Sequence, residues 1–467
     1  MFRKRKVVVA LLLVIAMIFT TFLTGCGSSK VNDQKANDQS IQQESKGNEE
    51  AKTIENKDSG DKFITVLVEG GSPAYAVAKQ TADEFKNATG YEVRIDAVPY
   101  IGVFDKLRAE VSSAAGAYDV ATIDILWFPA LAKGLLPIDD LLTDEVKRDL
   151  LPGLVEGGSY QNKVYGMPVW TNCKTLLYRK DLFEDPKEKE AFQKQYGYEL
   201  QPPKTWKEYR DVAKFFTRDT NNDGQIDIYG TSVFGANNGD SVASWLDHVM
   251  QAGARPLVVG NNGEVLVNKE PYVKALEFLT TILREDKSVP PGALEMASAE
   301  TSELFWNGKL AMMLAWGHFY VPSNDPQKSK VAGKVGTAPM IAGDAGVGAI
   351  PGPWYQVVPS SSKKQDIAKK YLSFLYEKNA LYMDALGVAA RKSVFDEFGK
   401  KSGYEHLKSL SDTLGGPQTQ NRPALAEWSQ IENEALVPAV QYALSGKKTP
   451  QEALDWAAEM IKEILQK

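Results

Sequence analysis

The clearest pattern of apolar and polar positions starts at Phe63. Phe63 to Val68, FITVLV, is a run of β-branched and large apolar residues that reads as a buried strand. Pro73 to Thr89 then sets Ala74, Val77, Ala78, Ala82 and Phe85 at the spacing of a helix with one buried stripe, and Gly90 stops it. Glu92 to Val98 alternates, with Val93, Ile95 and Ala97 on one face. A helix over Phe104 to Val111 and a strand over Asp119 to Ile125 follow. This strand and helix alternation predicts a parallel sheet covered by helices on both faces. Ligands of such sheets sit at the carboxyl ends of the strands, here Glu69 to Ser72, Pro99–Tyr100 and Asp124 to Trp127.

The middle of the chain is more helical. Thr205 and Glu208 form a capping box ahead of Tyr209, Val212, Ala213 and Phe216 on one helical face. Further helices are predicted over Ser241 to Gly253, Tyr272 to Leu283, Ser302 to Trp306 and Ile367 to Tyr376, with a strand over Trp354 to Pro359. The last helix has Thr449 as N-cap, Pro450 at its first position and Glu452 closing a second capping box.

The amino-terminal stretch is different in kind. Arg3, Lys4, Arg5 and Lys6 precede an apolar run from Val7 to Leu23, the layout of a secretory signal. Leu23-Thr24-Gly25-Cys26 resembles a bacterial lipobox, which implies a signal peptide over 1–25 and a lipidated Cys26 at the membrane; an uncleaved anchor helix is the alternative. Residues 26–61 are too polar to offset their ordering entropy and read as a disordered tether. Either way the body of the protein is expected on the extracytoplasmic face of the cell membrane.

Composition narrows the function. The net charge of -6 and the lack of a basic tract beyond the signal argue against nucleic-acid binding. With Cys26 assigned to the anchor, Cys173 has no partner for an internal disulfide and reads as a buried apolar thiol. His248, His318 and His406 are dispersed without metal-ligand spacing. No G-x-S-x-G, H-E-x-x-H or Walker A motif is present. No catalytic residue is assigned; a secreted enzyme acting on polysaccharide through paired carboxylates is the competing class.

DTNNDGQIDIYG, from Asp219, has calcium-loop spacing. Asp219, Asn221, Asp223, the backbone of Gln225 and Asp227 match the first five ligand positions, with Gly224 at the sharp turn. The twelfth position is Gly230 rather than the bidentate Glu, so a structural calcium would need a carboxylate from elsewhere; the alternative is an ion-free Asx-rich turn.

Several stretches together resemble a known family. They are YDVATIDILWFPALAKGLLPIDDLL, KVYGMPVWTNCKTLLYRKDLF, LFWNGKLAMMLAWGHFY, KVGTAPM, LGVAARKSVF and the closing RPALAEWSQIENEALVPAVQYALSGKKTPQEALDWAAEMIKEIL. In this order they resemble the carbohydrate class of extracellular solute-binding lipoproteins, the maltose-binding-protein-like receptors of ABC sugar importers. The resemblance implies an α/β, periplasmic-binding-protein-like fold with two α/β lobes, a ligand cleft and several hinge crossings. It implies an N-terminal lobe of 62–169 and 340–390 and a C-terminal lobe of 170–339 and 391–467. It also implies capture of a carbohydrate, expected to be an oligosaccharide, by lobe closure, delivery to the permease subunits, and no enzymatic activity.

Sugars offer apolar C–H faces and hydroxyl edges, so the site calls for aromatic plates with carboxylates and amides. The aromatic candidates are Trp127, Trp170, Trp316, Trp354 and Trp428, the third and fifth at positions where the family also places tryptophan. The polar candidates are Glu69, Asp124 and Asn172, with Tyr75 and Arg391 behind them. Core packing of each Trp, capping by Asp124 and a salt link at Arg391 are the plain alternatives.

Overall fold

The computed structural model describes residues 62–466. The signal, Cys26 and the tether lie outside those residues. Eight strands of four residues or more build two sheets among the described residues: β1 Phe63–Glu69, β2 Glu92–Val98, β3 Val120–Asp124, β4 Met167–Trp170, β5 Lys174–Arg179, β6 Met312–Trp316, β7 Val335–Ala338 and β8 Trp354–Val357. The first sheet runs β2-β1-β3-β8-β4 and the second β6-β5-β7.

In the first sheet β1 is parallel to both β2 and β3, as the strand and helix alternation predicts. Two antiparallel strands, β8 and β4, extend it. Register decides what meets at its edge: Trp354 of β8 lies opposite Asp124 of β3 on one side and Trp170 of β4 on the other. The helices α1 (Pro73–Thr89) and α2 (Tyr100–Ser113) leave the carboxyl ends of β1 and β2. Ser72 caps α1 by accepting from the Tyr75 amide at 3.2 Å, and Gly90 ends it in the left-handed conformation (φ 79°) that glycine adopts without steric cost.

The second sheet is antiparallel and is flanked by α3 (Trp206–Phe216), α4 (Gly239–Gln251) and α5 (Glu270–Thr280). Thr205 caps α3 by accepting from the Glu208 amide, but the Glu208 carboxylate takes the Lys204 amide at 2.7 Å instead of completing the expected box. A helical stretch runs from Trp428 to Leu444, and its second turn, Glu432–Leu436, is wound as a π-helix. The final helix, α6 (Pro450–Leu465), carries the complete Thr449–Glu452 capping box.

Two main apolar cores mark two lobes. The chain crosses between them where neighbouring residues belong to different cores: Cys173 against Leu176, Met340 against Ile341, and Ala349 against Ile350. The last crossing lies between Leu414 of the first core and Trp428 of the second, later than the switch expected after residue 390. Val394, Phe395, Phe398, Leu407 and Leu410 pack into the first core. The stretch read as a crossing is instead an edge of the first lobe: Leu150 bridges Arg391, and the Leu151 and Thr171 amides donate to the Ala390 and Ala389 carbonyls.

Candidate functional site

A cavity of about 500 Å³ lies between the lobes at the carboxyl ends of β1 and β3. Glu69, Asp124 and Trp127 reach it from strand ends, Trp170 and Asn172 from the first crossing, and Trp354 from the start of β8. Trp316, at the end of β6, and Trp428 complete it from the second lobe. Eight of the ten expected ligand residues are thus brought together.

One wall is aromatic. Trp170 and Trp354 stack with ring centroids 5.2 Å apart and planes 22° apart. Trp127 meets Trp354 edge-on at 5.9 Å, and Tyr100 lies 4.6 Å from Trp127. Such a wall offers both ring faces and ring edges to a ligand. Trp127, Trp170 and Trp428 are also deeply buried, so lining the site and filling the core are one role for them. Trp306 does not line the cavity; its indole donates to the Ser323 hydroxyl.

Carboxylates stand beside the rings. Asp124 Oδ1 accepts from the Leu126 amide at 3.0 Å, so it does cap the next turn, while Oδ2 accepts from the Tyr100 hydroxyl at 3.2 Å. Burial pushes its carboxyl above the usual carboxylate range, against the pull of Arg422. Burial and then the Asp124 charge raise Glu69. Asn172 donates through Nδ2 to His318 Nδ1 at 2.5 Å and accepts from the Cys173 amide. His318 stays neutral because burial lowers its pKa to about 4.

The second lobe and the last crossing add residues that sequence reasoning missed: Asp240, Glu432 and Asn433 from the lobe and Arg422 from the crossing. Asp240 holds Trp316, its Oδ1 accepting from the indole at 3.4 Å while Oδ2 takes the Ser298 hydroxyl and amide. Glu432 follows Trp428 by one helical turn and begins the π-turn, so helical spacing from Trp428 was a usable signal. Tyr100 was visible as a strand-end residue, but Arg422 sits in a crossing with no periodic pattern to expose it.

Two candidates lie elsewhere. Tyr75 is half-buried against the first core and does not line the cavity. Arg391 does not line it either: its guanidinium pairs with Asp149 at 2.7 Å and Glu377 at 3.3 Å and stacks over Tyr376. The salt link prevails there because the bridge between Arg391 and Leu150 brings the guanidinium beside Asp149.

In the acidic loop each carboxylate meets the loop's own donors. Asp219 accepts from the amides of Asn221, Asn222 and Gly224, Asp223 from Gln225, and Asp227 from Thr220. Among the described residues no three His, Cys, Asp or Glu side chains gather to hold a metal ion.

Residues 66–380 match the family model described as bacterial extracellular solute-binding protein. The mannitol-binding protein of Pseudomonas aeruginosa is 28% identical over 303 residues, 61% of this chain and 62% of that protein. The arabinooligosaccharide-binding protein of Bacillus subtilis is 21% identical over 97% of this chain and 98% of its own length. Among solved structures, the ribitol complex of a solute-binding protein from Agrobacterium radiobacter is 28% identical, with a TM-score of 0.68 over 86% of this chain and 98% of that one.

Proposed function

The chain belongs to the bacterial extracellular solute-binding protein family, and we propose that it captures a carbohydrate between its lobes and delivers it to the permease of an ABC importer. The family name places its work outside the cytoplasm, and a family of solute binders gives no support to the polysaccharide-cleaving alternative. The observation that carries the proposal is the interlobe cavity walled by Trp127, Trp170 and Trp354 beside Asp124, with Trp316 and Trp428 from the other lobe. Aromatic faces suit sugar C–H faces, and carboxylates and Asn172 suit hydroxyl edges. Mannitol, ribitol and arabinooligosaccharide are the solutes named for relatives.

An oligosaccharide is favoured over a single ring. A second interlobe cavity of about 600 Å³ shares Leu126 and Arg422 with the first, giving a longer ligand somewhere to continue. Contacts to both lobes make the closed form the better binder, so the ligand shifts the population toward closure.

Anchoring through a lipidated Cys26 rests on the lipobox resemblance. Among the described residues no helix is long and apolar enough to cross a membrane. Structural calcium at Asp219 to Asp227 keeps only its spacing as support, since the loop satisfies its own carboxylates.

A thermal-shift screen against mono- and oligosaccharides tests the central reading, because a ligand of the folded state raises the melting temperature. A hit is followed by solution scattering, in which closure reduces the radius of gyration. Catalytic turnover of the sugar by pure protein would overturn the receptor reading.

A further inference from the structure

The cavity is charged out of balance. Glu69, Asp124, Asp240 and Glu432 line it, against one guanidinium, that of Arg422. Lys174 lies under Trp316, but it is paired with Asp247 at 3.0 Å and does not line the cavity. The hydrogen bonds from Ser298 to Asp240 steady that carboxylate without cancelling its charge.

Three polar atoms of the lining wait for a partner, one of them Arg422 Nε. Glu432 is only 8% exposed and its Oε1 has no hydrogen-bond partner. Trp428 Nε1, one turn earlier and 1% exposed, is also unpartnered; the two groups attract, but not with the geometry of a normal hydrogen bond. A buried carboxylate oxygen left in this state is costly unless a ligand completes it.

Tyr100, Trp127 and Trp354 pack into one aromatic cluster on the cavity wall, with centroids 4.6 to 5.9 Å apart. Asp124 borders this cluster, in register with Trp354 and accepting from the Tyr100 hydroxyl. Ring faces and carboxylates share one electrostatic preference, which is for a cation. Hydroxyl groups of a neutral sugar can donate to these oxygens, but they leave the charge imbalance as it was.

We propose that the captured carbohydrate carries a protonated amine, as in an amino sugar or aminocyclitol, seated against the Tyr100–Trp127–Trp354 cluster and the carboxylates of Asp124 and Glu432. This rests on the reading of the cleft as a carbohydrate site. It goes further in naming the charge of the ligand.

Isothermal titration calorimetry of the full chain near neutral pH tests it. The probes are glucosamine, galactosamine and mannosamine and the β-1,4-linked glucosamine dimer and trimer, each beside its N-acetylated form and its neutral parent sugar. At least one amine is expected to bind tenfold or more tighter than both of its partners. Glu432→Gln and Asp124→Asn, each checked for folding by its melting curve, are expected to bring that ratio toward one. If the neutral or acetylated partners bind as tightly as the amines, the charge assignment is overturned and carbohydrate capture stands. If folded protein binds no sugar of either kind, the carbohydrate reading falls, and this assignment with it.

Discussion

Lys174 Nζ lies 4.5 Å from the centre of the Trp316 ring, and both side chains hang from paired positions of β5 and β6. The ammonium is fully buried and faces Asp247 Oδ2 at 3.0 Å, a charge contact rather than a well-aligned hydrogen bond. Asp247 Oδ1 in turn accepts from the Ile350 amide at the Ala349–Ile350 crossing. One buried ion pair therefore underlies a cavity-lining tryptophan and touches an interlobe crossing.

Lys174→Met is expected to destabilise the fold by about 3–5 kcal/mol, because it leaves Asp247 charged and alone in the interior. Lys174→Met with Asp247→Leu is expected to recover most of that loss. Urea unfolding of the two variants measures it, and a double variant no more stable than the single one would argue against the pairing.

Trp316→Ala and Trp354→Ala are each expected to weaken sugar binding by about 1 kcal/mol or more, roughly fivefold, through lost stacking. Trp316 is only partly buried, so its stability loss should fall well short of the ~3–5 kcal/mol of a core Trp truncation. Trp354, stacked on Trp170, should lose more stability than Trp316. Titration calorimetry and melting curves on the same samples separate the two effects.

Glu432→Gln is expected to stabilise the ligand-free protein at pH 7. Burial raises the Glu432 pKa above its ordinary 4.5, partly offset by Arg422. The fold thus resists its ionisation: this contribution to stability is full below the unfolded pKa and is lost as pH rises through the folded one. The melting temperature of the variant should exceed that of the parent by roughly 1–2 °C at pH 7 and converge on it near pH 4. An unchanged difference across that range would place the effect elsewhere.

The three histidines should stay neutral across physiological pH. Burial is the main cause that lowers His248 to about 3 and His318 and His406 to about 4. Their stability contribution is complete above the unfolded pKa of about 6.5 and is lost as pH falls toward the folded values. Imidazole resonances in NMR should not move between pH 8 and 5.5; a midpoint above 6 would refute the assignment for that ring.

Arg391→Ala should cost stability and spare binding. It removes the links to Asp149, Glu377 and the Tyr376 carbonyl but no cavity-lining group. A drop in melting temperature with a sugar Kd within about twofold of the parent is expected. A tenfold weaker Kd would return Arg391 to the site.

Local signals determined much of this protein. The helical stripe after Pro73, the alternation over Glu92 to Val98 and the Thr449–Glu452 capping box each depend on residues a few positions apart, and each forms as expected. Glu69, Asp124 and Trp127 were legible as candidates for a related reason, since the ends of parallel strands are local features, and the structure brings them to one cavity. Only the tertiary structure decided the rest. Whether Trp354 faces Asp124 and Trp170 depends on the register of strands far apart in the chain. Whether Arg391 joins a cleft or braces a lobe depends on a bridge to Leu150, 241 positions earlier. Arg422 and Glu432 meet Asp124 only because the last crossing returns the chain to the cavity, and no periodicity along the sequence encodes where two lobes close on one another.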